Sequence, residues 1–426
     1  VAAWTEVKGE EQLLLHAADN SATPKQVGSV EPGWHYPPLW SPDGKKIAWG
    51  DEKYRLQVAD AASGSSVVAD RGDWEISSYE WSPDSRYLAY HLRLENGYNQ
   101  VKVWDSETKK STEISDPAFN SFSPTWDPKG KYLYYLSDRH INPYLDQLEA
   151  RFIVARATLP MVVALQADGT LPFAPRGDVD PKTDEKKDGD AASAKDKDAK
   201  KEKGKEEKEK KVEPIRIDFP GIADRVVQVP VAPGFYFGLK AVEGKLHYLS
   251  FEDRGMMPPG GSGEDDERQG ADLQTYDIEK EKASTLASGV LGYDVSMNGK
   301  VLVYRTKGGF FRVEAGAASA PKPDPSGPGG DDSRIDLGGW TVRIDPRQEW
   351  QQMLREGWRL QRDFFYDPKM HGFDWAAIKN AYKPLLKYAG SYQDVYDLAN
   401  EMIGEINASH TGVSGPSGPT REPRPT

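Results

Sequence analysis

The apolar positions of this chain change period once, and that change divides it. Up to about residue 315 they come in short runs between turn signals, as in Tyr87-Leu88-Ala89-Tyr90 and Val101-Lys102-Val103-Trp104-Asp105, which predicts strands. Beyond Ile335 they recur at three and four residues. Trp350, Met353, Leu354 and Trp358 share one helical face, and Phe365 closes the stripe. A second helix is predicted after a capping Asp374, carrying Ile378, Tyr382 and Leu385-Leu386, with Pro384 bending or ending its regular part. Ser391 and Asp394 have capping-box spacing at the head of a third helix, which would bury Val395, Leu398, Met402, Ile403 and Ile406. The aromatic stripes read as core. Three helices cannot cover all these faces among themselves, so a further packing layer is expected.

The strand region repeats. Trp40-Ser41-Pro42-Asp43-Gly44-Lys45-Lys46-Ile47-Ala48-Trp49 returns as Trp81-Ser82-Pro83-Asp84-Ser85-Arg86-Tyr87-Leu88-Ala89-Tyr90, and again from Trp126 to Tyr135, at spacings of 41 and 45 residues. Proline sets φ for a turn, and a glycine two residues on accepts the left-handed position that tightens a hairpin. A second strand follows, Leu56–Asp60 in one copy and Val101–Asp105 in the next. Degenerate copies keep the Gly-Lys turn at Gly244-Lys245 and Gly299-Lys300. Four short strands in about 40–55 residues is the size of a β-propeller blade. The expected fold is mainly β: an incomplete propeller of four-stranded blades, roughly five visible, with a stray strand at Leu13-Leu14-Leu15, followed by a small α-helical domain. An irregular all-β sandwich is the alternative. The unit resembles WD-like and TolB-like blades, which bears on fold and not on function.

Interruptions suggest the boundaries. From about 175 to 212 the chain is almost wholly Lys, Glu, Asp, Ala and Gly, with acids and bases nearly balanced, and reads as a solvated insertion between strands. Order is expected to return with an alternating strand at Ile215-Arg216-Ile217-Asp218-Phe219, and a shorter polar loop lies at 258–270. Residues 1–318 are assigned to the propeller, 319–334 to a Pro/Gly/Asp-rich linker, 335–413 to the helical domain and 414–426 to a further linker.

Composition narrows the class. At 426 residues the chain has room for two or three domains, and its 67 acidic against 55 basic residues argue against a nucleic-acid partner. No apolar run is long enough to span a membrane. The absence of cysteine excludes disulfides, thiolate metal sites and a cysteine nucleophile. Val1 falls within what reads as a strand, so the natural N-terminus is expected upstream and no leader can be sought.

Little of the chain looks chemical. Metalloprotease, phosphate-loop, dinucleotide and nucleophile-elbow patterns are absent, and no metal or cofactor is expected. Of seven histidines, His16, His35, His91, His140 and His247 sit in or beside predicted strands and read as packing residues. His371, between helices, could cap a helix or touch substrate. His410 differs: the last helix should end near Ile406-Asn407, leaving Ser409 and His410 on an exposed turn before Gly412. There one ring nitrogen could face outward as a general base; the alternative is a histidine satisfying terminal carbonyls. Ser409 is too close in sequence to serve as its nucleophile, although it could orient the ring.

The blades, the aromatic helices with Trp350, Trp358 and Phe364-Phe365-Tyr366-Asp367, and the segment Glu401-Met402-Ile403-Gly404-Glu405-Ile406-Asn407-Ala408-Ser409-His410-Thr411-Gly412-Val413 together resemble the tricorn core protease family. These are serine peptidases related to carboxy-terminal processing proteases. The resemblance implies that His410 is the general base and that Ser409 links it to a glutamate. The nucleophilic serine, that glutamate and the oxyanion hole would lie in a later catalytic domain beyond a PDZ domain, toward which residues 414–426 would lead. It further implies peptide substrates admitted through the propeller, a homohexamer and a cytoplasmic enzyme. The charged insert, foreign to the archetype, leaves a periplasmic or secreted relative open. The rival from another class is a TolB-like propeller binding module with Ser409-His410 merely structural.

Overall fold

In the computed structural model, which describes residues 1–145, 152–173, 213–252, 270–317, 319 and 333–415, the repeated turn closes on itself before it closes a hairpin. Ser41 donates its hydroxyl to Asp43 Oδ1 (2.6 Å) and accepts the Lys46 N–H (2.9 Å). Ser82 does the same with Asp84 (2.6 Å) and Tyr87 (2.9 Å), and Ser296 with Asn298 (2.8 Å) and Val301 (2.9 Å). The residue after the Asp or its equivalent is left-handed in every copy: Gly44 at φ 67°, Ser85 at 65°, Gly130 at 67° and Gly299 at 68°.

Among the described residues these hairpins build six antiparallel blade sheets, and a separate two-stranded sheet pairs Tyr144–Leu145 with Phe152–Ile153. Blade 1 has three strands, Ala2–Val7, Glu10–Leu15 and Lys25–Gln26. Blades 2 to 6 have four each: Leu39–Trp40 to Ser66–Arg71, Tyr79–Trp81 to Lys110–Glu113, Asn120–Trp126 to Val226–Gln228, Phe235–Val242 to Lys282–Val290, and Gly292–Val295 to Arg334–Ile335. The expected count of roughly five is therefore corrected to six. The supposed stray strand at Leu13–Leu15 belongs to blade 1, whose Lys8-Gly9 turn lacks the Ser-Pro-Asp signature that marks its neighbours. The strand Arg334–Ile335 pairs with Gly309–Glu314 and so straddles the boundary drawn at 334/335 from sequence.

Period two explains why the blades stack. Along one strand of blade 3, Tyr87 and Ala89 enter the cluster shared with blade 4 (Trp126, Leu133, Tyr135), while Leu88 and Tyr90 enter the one shared with blade 2 (Ala48, Leu56, Val58). Similar clusters join blades 1 and 2, 4 and 5, and 5 and 6. The repeat tryptophans add a polar tie: Trp81 Nε1 donates to Leu39 O of blade 2 (3.3 Å) and Trp126 Nε1 to Glu80 O of blade 3 (3.0 Å). Near the first strands, the Glu80 carboxylate accepts the Thr125 hydroxyl from blade 4 and the Lys240 ammonium from blade 5, both at 2.8 Å.

The segment expected as a strand at Ile215–Phe219 is not one. Its alternation is real, with Ile215 and Ile217 buried and Arg216 exposed, but these side chains wedge into the core between blades 3 and 4 rather than joining a ladder. Ile215 N–H donates instead to Asp84 Oδ2 of the blade 3 turn (2.7 Å). The charged insert, the 258–270 loop up to its last residue and most of the Pro/Gly/Asp-rich stretch lie outside the described residues.

Three helices follow: α1 (Pro346–Phe364), α2 (Trp375–Tyr382) and α3 (Tyr392–Gly404). Asp345, Asp374 and Ser391 cap them, the last through a reciprocal box with Asp394. Pro384 falls in a 3₁₀ turn, Lys383–Tyr388, that ends α2. Trp350, Leu354, Trp358, Trp375, Val395, Met402 and Ile406 form one core. The further layer is blade 1. Arg355, Arg359 and Arg362 of α1 reach Glu6, Glu11 and Glu10 of the first hairpin, and Trp34 meets Phe364 edge to face. Among the described residues no helix is long and apolar enough to cross a membrane.

Candidate active site

The end of α3 is held from three directions, and this defines what Ser409 and His410 can do. Val395, Ala399, Met402, Ile403 and Ile406 are buried, so the helix cannot roll. After Gly404 the helix stops with Ile406 N–H on Ile403 O (3.1 Å) and Asn407 N–H on Gly404 O (2.9 Å), and Asn407 turns left-handed at φ 54°. The chain leaves the packed face there. Ala408 is half-buried, and Ser409 and His410 are exposed.

Two side chains pin the loop. At its start, His371 Nδ1 lies 3.0 Å from Ile406 O, so that nitrogen carries the proton and Nε2 accepts from the Tyr366 hydroxyl. Phe365 supports the ring edge-on, and the His371 N–H donates to Asp367. At its end, Asn400 Nδ2 donates to Val413 O (2.8 Å) and Asn400 Oδ1 accepts the Val413 N–H (2.6 Å). Between them the Thr411 hydroxyl donates to Ala408 O (3.0 Å), and His410 itself sits at φ 60°. A non-glycine residue there is strained unless its surroundings hold it, as they do here.

Within this rigid loop the Ser409 and His410 side chains have no hydrogen-bond partner among the described residues. His410 thus does not satisfy a terminal carbonyl; His371, seen from sequence as a possible cap, does that for Ile406. Nor is any hydroxyl placed against the His410 ring. The structure keeps Ser409 and His410 adjacent and outward-facing, on a backbone that is fixed while the imidazole is open to a group from elsewhere. The Asn400–Val413 clamp escaped the sequence reading, because an asparagine inside a helix carries no signal of a partner 13 residues on.

Two other histidines have structural partners. His35 is buried, stacks on Trp4 at 4.3 Å and meets Glu11 at 3.0 Å. His247 is wholly buried, and burial pushes it down to about 4. Among the described residues no cluster of three His, Asp or Glu could hold a metal ion.

Two family models match the chain: the tricorn protease second beta propeller domain over residues 1–316 and the tricorn protease C1 domain over residues 346–404. Ser409 and His410 lie just beyond the second match. Tricorn protease homolog 1 of Streptomyces coelicolor is 26% identical over 415 residues, covering 96% of this chain and 37% of that relative. The tricorn protease homolog of Saccharolobus solfataricus is 26% identical over 385 residues, covering 90% and 32%. A crystal structure of the tricorn protease superposes with a TM-score of 0.76 at 18% identity, over 96% of this chain and 36% of that one, a likeness of fold. The chain spans only a minor part, 37% and 32%, of the length of these two curated relatives.

Proposed function

This chain belongs to the tricorn protease family, and from that premise we propose that it supplies the substrate-admitting propeller and the proton-accepting part of a serine-type peptidase. His410 takes the proton of a serine hydroxyl as its oxygen attacks the peptide carbonyl, then returns it to the leaving amine. Ser409 links the imidazole to a carboxylate. The nucleophile, that carboxylate and the oxyanion hole are assigned to polypeptide beyond the described residues. The chain alone is therefore not expected to hydrolyse peptides. Passage of unfolded peptides through the propeller, assembly into a homohexamer and a cytoplasmic location belong to the same proposal.

One observation carries it: an exposed imidazole without an internal partner, on a loop pinned by His371 and Asn400. A general base needs that combination, with its ring free to meet the nucleophile and its position already fixed. The TolB-like binding module gives no reason for the helical domain to match a protease model.

In the intact enzyme, His410→Ala should lower peptide hydrolysis by about a thousandfold or more. Its melting temperature should stay near wild type, because an exposed, unbonded side chain carries little stability. Hydrolysis at the wild-type rate would overturn the assignment.

A further inference from the structure

At the seam between the blade 1 hairpin and the helical domain lies a cleft of about 390 Å³. Four cations from separate elements face it: Lys8 at the hairpin tip, Arg355 of α1, Lys379 of α2, and Lys383 where the 3₁₀ turn begins. The two acids on its wall are already engaged. Glu6 pairs with Arg355, and Glu10 accepts both arms of Arg362 at 2.6 and 3.0 Å. Among the described residues Lys8, Lys379 and Lys383 form no salt bridge, so the cleft sets four cations against two carboxylates that arginines already hold.

Cation–π contact with Trp358 accounts for Lys379 and pairing with Glu6 for Arg355, but neither contact places Lys8 and Lys383 beside them. Lys379 and Lys383 are four residues apart along α2 and its continuation, a like-charge spacing that works against a helix. The Lys379 ammonium is held 3.6 Å from the Trp358 ring centre, and Arg362 lies over the same ring at 5.1 Å. Burial, followed by the charge of Arg362, holds Lys379 below the usual ammonium range; the Glu10 carboxylate pulls the other way, and Arg355 and Lys383 add to the lowering. A bound anion would relieve all of these repulsions together.

We propose that this cleft binds a small oxyanion ligand bearing two or more negative charges, gripped by Lys8, Lys379 and Lys383. Its volume falls in the range of about 300–1,000 Å³ usual for small-molecule sites. The shared chemistry has two sources, a phosphate-based ligand or the paired carboxylates of an acidic peptide. The site stands independently of the peptidase assignment.

Calorimetric titration of this chain with pyrophosphate and, separately, with acetyl-Glu-Glu tests it. At least one probe should bind saturably, more weakly as salt rises, and the Lys379→Met/Lys383→Met double variant should weaken that binding by about tenfold or more. Methionine keeps an unbranched stem over Trp358, so the free variant should melt at or above wild type while losing the rise that the anion gives wild type. The Lys45→Met/Lys300→Met double variant, remote on the blade 2 and blade 6 turns and equally neutralising, should bind as wild type. Binding of pyrophosphate alone assigns a phosphate ligand, and binding of the dipeptide assigns peptide carboxylates. Saturable binding of neither probe, undiminished binding by the double variant, or a free double variant melting well below wild type would each overturn the site.

Discussion

His247 and His410 show how one residue type is put to opposite uses. His247 Nε2 meets Ala315 O at 2.8 Å and its Nδ1 meets Thr275 Oγ1 at 3.0 Å, so the neutral ring ties blade 5 to the strand end of blade 6. A second proton would take the lone pair that accepts from Thr275 and charge a wholly buried site. Its folded value of about 4 lies below the ordinary histidine value near 6.5, so the unfolded chain binds the extra proton more readily. The stabilisation is therefore complete above about pH 6.5 and is lost as pH falls toward 4, at up to about 1.4 kcal/mol per unit. Denaturant unfolding at pH 7, 5.5 and 4.5 should show this slope, and His247→Asn should reduce it, leaving the share of His91, which burial also pushes down to about 4; an unchanged slope would place the titration elsewhere. From sequence, the strand position marked His247 as a packing residue, but nothing local named Thr275 or Ala315, which lie 28 and 68 residues away. His410 was legible for the converse reason. Its exposure follows from where a buried apolar stripe ends, which is a local property.

The turns bring the same lesson to the level of elements. Gly44 and Gly130 occupy one repeat position at the same φ of 67°, and alanine would be strained at either. Their surroundings differ. A Cβ on Gly44 would meet nothing within 4 Å, whereas on Gly130 it would fall 2.5 Å from Ile215 Cγ1, a buried side chain with no room to retreat. Gly44→Ala should cost about 1 kcal/mol and Gly130→Ala a further 1–3 kcal/mol or so from overpacking. Equal losses in chemical denaturation would show that Ile215 is not wedged there. The repeat made both turns predictable. It could not show that the chain returns after the charged insert to press Ile215 against one of them, and the alternation at Ile215–Ile217 was mistaken for a strand on that account.

For the whole molecule, the question is what holds the helical domain against the propeller. Arg355, Arg359 and Arg362 lie along one side of α1 and meet Glu6, Glu11 and Glu10 of the first hairpin. Burial works to raise the Glu10 carboxyl, and its hydrogen bonds and charge attraction to Arg362 outweigh this, leaving it below the usual carboxylate range. Both side chains keep about a quarter of their surface in water, 28% and 26%, so the pair is screened. A double-mutant cycle with Glu10→Gln and Arg362→Met should give a coupling of about 1 kcal/mol that shrinks in high salt. A coupling of zero would leave the docking to apolar contacts such as Trp34 against Phe364.

What the sequence determined by itself was whatever neighbours in the chain decide. The turn chemistry, the change of period from strand to helix, the caps of α2 and α3 and the exposure of Ser409-His410 each depend on a few consecutive residues. Tertiary structure alone decided the sixth blade, the Ile215 wedge, the arginine ladder on blade 1 and the clamping of the His410 loop by His371 and Asn400. Each of these joins residues whose partners are set by how separate elements stack, and a chain's local preferences contain no record of which distant surface will be brought against them.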